Sequence, residues 1–241
     1  SLRAVPEAAM REVLAALPTD APVHIHIAEQ VGEVQDCLAL RNARPVEWLL
    51  DNADVDARWT LVHATHLTPA ETQGIARSGA TVAICPTTAA NRGAGLSPLR
   101  EYLDAGGHWG VGSDSHISVS PVEELRWLEY GRRLFTRHRN IAVRAQSPSV
   151  GETLLREVAG SARQSTGHAI GTFAVGEYAD AVVLDPDAPQ LFGLSSQGAI
   201  DRWIFNRNRA LVRDVYVGGR RVVENGHHLQ NRSDRDCVFI A

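Results

Sequence analysis

From Val23 to Phe135 the sequence repeats one rhythm four times: a short apolar run, then an amphipathic stretch of helical period. The apolar runs are Pro22–Ala28, Trp59–His63, Ala80–Ile84 and Trp109–Gly112. Each unit takes roughly 30 residues, the size of a strand–helix–strand repeat. Strands alternating with helices mean a parallel sheet, because parallel neighbours need a long crossover between them. Helices are expected over Pro6–Leu17, Gly32–Leu40, Pro45–Leu50, Thr68–Ser78, Ser97–Ala105, Pro121–Phe135 and Gly151–Ser165. Thr68-Pro69 with Glu71 three residues after Thr68 reads as a capped start, and Gly79 as the stop. Ser97 before Pro98 reads as a second cap. A closed eightfold barrel needs about 250 residues, so four units are half of one.

The pattern changes after about Thr172. Val175–Asp185 and Arg213–Gly226 are rich in β-formers with Gly turns, and no helix is expected beyond that point. The expected division is 1–172 for the α/β part and 173–241 for a small β module. Gly218-Gly219 reads as a hairpin turn, since no helix follows it to make a phosphate site, and His227-His228 as a surface turn.

Composition narrows the function. All 24 basic residues are Arg, against 28 acidic ones, for a net charge of −4. Without Lys there is, within these residues, no Schiff base, no Walker-type lysine and no carboxylated lysine bridging two metals. No basic face marks a nucleic-acid surface. No apolar run approaches the roughly 20 residues of a membrane span. Cys37, Cys85 and Cys237 are sparse and form no CxxC, which fits a reducing cytoplasm. The expected partner is a small-molecule substrate, with neither nucleic acid nor membrane.

Three residues of metal-ligand type stand at the carboxyl ends of different expected strands: His26, His63 and Asp114. A lone strand-end His is more often a packed residue, and an Asp after Gly-Ser is often a turn residue. Their convergence on one rim of a parallel sheet, with Glu29 three residues past His26, argues for a site, because catalytic groups gather on that rim. Imidazole and carboxylate suit Zn²⁺ and also Fe²⁺. Such an ion lowers the pKa of a bound water towards about 7. Glu29 is placed to move a proton from water to a leaving nitrogen, and His63 to stabilise charge or shuttle a proton. That describes hydrolysis at a carbon bearing nitrogen. His24 shares the strand face of His26 and is read as structural. Cys85 is read as a buried small residue, and Ser113 and Ser115 as loop-shaping, since no GxSxG elbow is present.

The segments HIHIAEQ, LVHATHLT, CPTT with Asn91, and GVGSDSHIS followed by PVEELRWLEYGRRL resemble the amidohydrolase superfamily. Within it they are most similar to the branch of iminohydrolases acting on N-formimino-L-glutamate. The resemblance implies the carboxyl-terminal half (strands 5–8) of a TIM-like (β/α)8 barrel, followed by part of a small β-sandwich. It implies His26 and Asp114 as metal ligands, and Glu29, His63 and Asp114 as catalytic groups. It also implies one divalent ion, Zn²⁺ first and Fe²⁺ second. Arg3, in SLRAVP, resembles an arginine that clamps a substrate carboxylate, which its planar fork suits. His116 takes a substrate-binding role by the same resemblance.

The implied reaction is hydrolysis of a formimino C–N bond in histidine degradation, by an enzyme homodimeric at full length. The alternatives are a nucleobase deaminase of the guanine or cytosine type, and an inactive fragment. The family's strand-1 HxH pair has no counterpart here, so a longer enzyme is expected upstream. Two half-barrel edges left open are expected to make these residues alone fold poorly or associate. Ala89 and Ala94 also stand where the family tends to carry acidic residues.

Overall fold

The computed structural model describes residues 2, 4–144, 147–193, 198–206 and 210–230. The chain forms two compact units, Ser1–His168 and Ala169–Ala241.

The first unit begins with helix α1 (Glu7–Ala16) and strand β1 (Val23–Ile27). Then come α2 (Val31–Arg41), α3 (Pro45–Asn52), β2 (Trp59–His63), α4 (Pro69–Ser78) and β3 (Thr81–Ile84). It continues through α5 (Pro86–Arg92), α6 (Leu99–Asp104), β4 (His108–Val111), α7 (Pro121–Thr136) and α8 (Val150–Thr166). The four strands form one sheet in the order β1-β2-β3-β4, and every pairing is parallel. Trp59, Leu61, Ile75, Leu99, Leu103 and Trp109 are buried between sheet and helices. β2 is buried along nearly its whole length, as a central parallel strand is when both faces are covered. β1, at one edge, alternates instead between exposed and partly buried residues until Ile27, which is fully buried.

The expected cap of α4 forms: the Thr68 hydroxyl accepts from Glu71 N at 3.2 Å, and Glu71 Oε2 accepts from Thr68 N at 2.8 Å. Gly79 closes the helix at φ +78°. The second expected cap does not form. Pro98, not Ser97, precedes α6, and the Ser97 hydroxyl instead donates to the His63 carbonyl at 3.4 Å. Helix α5 lies outside the expected set, since PTTAANR lacks an apolar stripe of helical period. It holds because Pro86 starts it and buried Glu124 of α7 accepts from Thr87 N at 2.9 Å and from the Thr87 hydroxyl.

The second unit contains β5 (Ala181–Leu184), α9 (Ala199–Phe205), β6 (Val212–Val217), β7 (Arg220–Glu224) and β8 (His227–His228). Its strands make an antiparallel sheet, β5-β6-β7-β8. Gly218 and Gly219, at φ +55° and +77°, form the expected turn between β6 and β7. Two expectations are corrected. α9 is a helix where none was expected; Ile200, Trp203 and Ile204 carry a helical period, but over only seven residues. His227 and His228 form a short strand rather than a turn. The turn is Asn225-Gly226, at φ +50° and +78°, and it folds β8 back onto β7. Among the described residues no helix is long and apolar enough to cross a membrane.

Candidate functional site

The register of the parallel sheet brings the strand ends together. His26 pairs with Val62 and Ile27 with His63, so the two histidines stand one register step apart at the carboxyl ends of β1 and β2. Pairing continues past the strands: Ala64 N donates to Ile27 O, and Thr65 N and His66 N both donate to Ala28 O, at 3.1–3.2 Å. The ring centroids of His26 and His63 are 5.2 Å apart. Asp114 reaches the same point from beyond β4; its Oδ1 is 3.7 Å from His26 Nε2. One ligand atom from each of His26, His63 and Asp114 lies within 4.8 Å of the other two. The three expected strand-end residues therefore converge. Two imidazoles and a carboxylate at that separation fit a divalent ion.

The backbone at these ends is unusual. Ala28, His63, Ala64, Asp114 and His116 all have φ between +42° and +73°. Each such conformation costs of order 1–3 kcal/mol outside glycine and persists where the surroundings over-determine it. Here those surroundings can be named. The Thr88 hydroxyl of α5 donates to Ser113 O at 3.4 Å and accepts from Ser115 N at 3.1 Å, so it grips the chain on both sides of Asp114. Arg44 donates from Nη2 to His66 O at 2.6 Å and from Nε to Glu71 Oε2 at 2.8 Å, tying the loop after His63 to the cap of α4. Ser113 and Ser115 thus shape the loop, as expected.

Burial holds the His63 imidazole below its ordinary pKa. The charges of Glu29 and Asp114 oppose this, while His26 and Arg92 add to it. His63 is therefore neutral at pH 7, with a lone pair available. Glu29 follows β1 and is mostly buried. Its Oε1 lies 3.0 Å from Arg92 Nη1, yet has no hydrogen-bond partner, so the ion pair is close but misaligned. Burial, with Asp114 and Glu124 adding to it, pushes the Cys85 thiol up to about 12. That rules it out as a nucleophile near neutrality.

Other expected residues fall as follows. His24 Nε2 is 2.8 Å from the Ser165 carbonyl of α8, the structural role expected of it. His116 is exposed in the loop after Asp114. Arg3 and Cys237 lie outside the described residues. Two features of the site escaped the sequence reading: the Thr88 clamp and the Arg92–Glu29 pair. The one signal for the latter is that Arg92 is the sole charged residue in CPTTAANRGAGLS.

Comparison with known proteins places this geometry in context. The model of the amidohydrolase family matches residues 2–222. Formimidoylglutamate deiminase of Pseudomonas aeruginosa is 49% identical over the whole chain, which spans 53% of that protein. A 5-methylthioadenosine/S-adenosylhomocysteine deaminase of Natronomonas pharaonis is 28% identical over 85% of the chain and 46% of its own length. Among solved structures, an amidohydrolase from Brucella melitensis superimposes with a TM-score of 0.87 at 42% identity, over 93% of this chain and 49% of that one. A zinc-bound adenosine deaminase from Xanthomonas campestris gives 0.81 at 25% identity, over 95% and 51%. The chain spans about half the length of the curated relatives it matches.

Proposed function

The chain belongs to the amidohydrolase family, and from that premise we propose that it carries the hydrolytic centre of an enzyme cleaving the formimino C–N bond of N-formimino-L-glutamate. Water and substrate would give N-formyl-L-glutamate and ammonia: one C–O bond forms, the bond to the terminal nitrogen breaks, and that nitrogen leaves protonated. The observation that carries the reading is the convergence of His26, His63 and Asp114 beside Glu29. The 49% identity to a formimidoylglutamate deiminase supports the substrate.

His26 and Asp114 would hold a divalent ion, with His63 at the same centre. The zinc in a related structure favours Zn²⁺. When bound, the ion lowers the pKa of a water and polarises the reacting group. The remaining chemistry belongs to the side chains. The Asp114 carboxylate orients the attacking water and takes its proton. Glu29 Oε1, an enclosed acceptor without an aligned donor, carries a proton to the departing nitrogen. His63, neutral and buried, hydrogen-bonds that nitrogen and stabilises the charge developing there. Arg3 and His116 are assigned to the substrate by the family resemblance. In this reading the parallel sheet is strands 5–8 of a TIM-like barrel. Its single β1-to-β4 order and the half-length match to the relatives support that.

A purine amino group is the second reading, because several relatives are named as adenosine-type deaminases. Ammonia release by the protein at its natural length, measured with N-formimino-L-glutamate and 5-methylthioadenosine side by side, separates the two. The reading stands if the formimino compound is preferred by orders of magnitude, and falls if the purine is.

A further inference from the structure

Arg92 is the last residue of α5, yet its guanidinium reaches back over the ends of β1 to Glu29 and Gln30. Its seating differs from that of the structural arginines. Arg133 Nε meets buried Glu129 at 2.6 Å, and Arg44 Nε meets Glu71 at 2.8 Å, each as an aligned hydrogen bond. Arg92 Nη1 stands 3.0 Å from Glu29 Oε1 without alignment. With the Gln30 amide oxygen turned towards it, that oxygen accepts from Nε at 3.3 Å and Nη2 at 3.2 Å, both long. The side chain is 47% exposed. A guanidinium has five N–H donors, so several remain open to solvent. The loop around it, Cys85 to Ser97, contains no other charge, since Ala89 and Ala94 are neutral. Its field nevertheless reaches His63. An under-committed cation beside a hydrolytic centre suits an anion more than it suits a strut.

We infer that Arg92 is a specificity-determining residue that binds a carboxylate of the substrate, exchanging its misaligned contact with Glu29 for a forked one. This rests on the reading above and deepens it. A substrate with two carboxylates would offer one of them to Arg92. Binding would also free Glu29 Oε1 for its proton at the moment the reacting carbon arrives. An amidine without a carboxylate would leave Arg92 on Glu29 and gain neither effect.

The test uses the metal-loaded protein at its natural length, with Arg92→Gln and Arg92→Lys. The first readout is the ratio of kcat/KM for N-formimino-L-glutamate to that for N-butylformamidine, which has the same reacting group and no carboxylate. Arg92→Gln is expected to lower this ratio about tenfold or more, the usual weight of a charge-assisted hydrogen bond, mainly through KM for the dicarboxylate. Arg92→Lys, which keeps the charge and loses the fork, is expected to fall between the two. The second readout involves no chemistry: calorimetric affinity for glutarate, expected to weaken at least fivefold in Arg92→Gln. An unchanged ratio together with unchanged glutarate affinity overturns the inference. If the unaltered protein releases no ammonia from N-formimino-L-glutamate, the proposed reaction fails, and the glutarate readout still decides the role of Arg92.

Discussion

Asp114 shows how much of this site is held by a single hydroxyl. Its left-handed backbone at φ +42° is gripped by Thr88 from both neighbouring residues. Thr88→Val keeps the shape and removes the hydroxyl. We expect it to leave the fold intact, weaken zinc affinity about tenfold or more and lower kcat, with Thr88→Ser restoring most of both. Unchanged zinc affinity in a competitive chelator titration would show that Asp114 does not depend on the clamp. His63 gives a pH signature. Its folded pKa lies below the ordinary value of about 6.5, so the unfolded chain binds the proton more readily. The resulting stability is fully present above about 6.5 and is lost as pH falls through that value towards the folded one. In metal-free protein the urea midpoint should drop between pH 7.5 and 5.5 by more than it does in His63→Asn. Equal drops would place His63 in a solvated environment and contradict the lowering of its pKa by burial.

At the scale of elements, what the sequence showed and what it hid divide by range. The β-branched runs, the Thr68–Glu71 cap and the Gly218-Gly219 turn are legible because each is marked by a few neighbouring residues, whatever they later pair with. The convergence of His26, His63 and Asp114 was also legible, because a parallel sheet puts every strand's carboxyl end on one rim. α5 and the Arg92–Glu29 pair were not, since both depend on partners dozens of residues away. Ser97 illustrates the competition: its local sequence suggests a cap, but the fold uses its hydroxyl on His63 O. Glu129 is another long-range device. Fully buried on α7, it accepts from Ile141 N at 2.9 Å, Ala142 N at 3.0 Å and Arg133 Nε at 2.6 Å, and so anchors the segment leading to α8. Glu129→Ala would leave two buried N–H groups and a cation without their acceptor. The expected loss is about 3–5 kcal/mol, read as a lower urea midpoint; a loss under about 1 kcal/mol would mean that the segment is held elsewhere.

At the scale of the whole molecule, the fold serves the chemistry through one arrangement. A parallel sheet of four strands points its carboxyl ends at a common place, and the helix that follows β3 supplies Thr88 and Arg92 beside them. The antiparallel unit contributes none of the converging residues. Its short helix α9 and its Asn225-Gly226 hairpin were the least legible parts of the chain, the first because seven residues carry too little periodicity. Burial keeps the Cys85 thiol protonated, so it does not compete as a nucleophile near neutrality. The central claim is that these groups form a hydrolytic centre for a formimino C–N bond. It is tested most directly by ammonia release from N-formimino-L-glutamate, using the protein at its natural length beside its Asp114→Asn variant. The account predicts turnover in the first and a loss of about 10²–10⁴-fold or more in the second. Equal release from both proteins would contradict it.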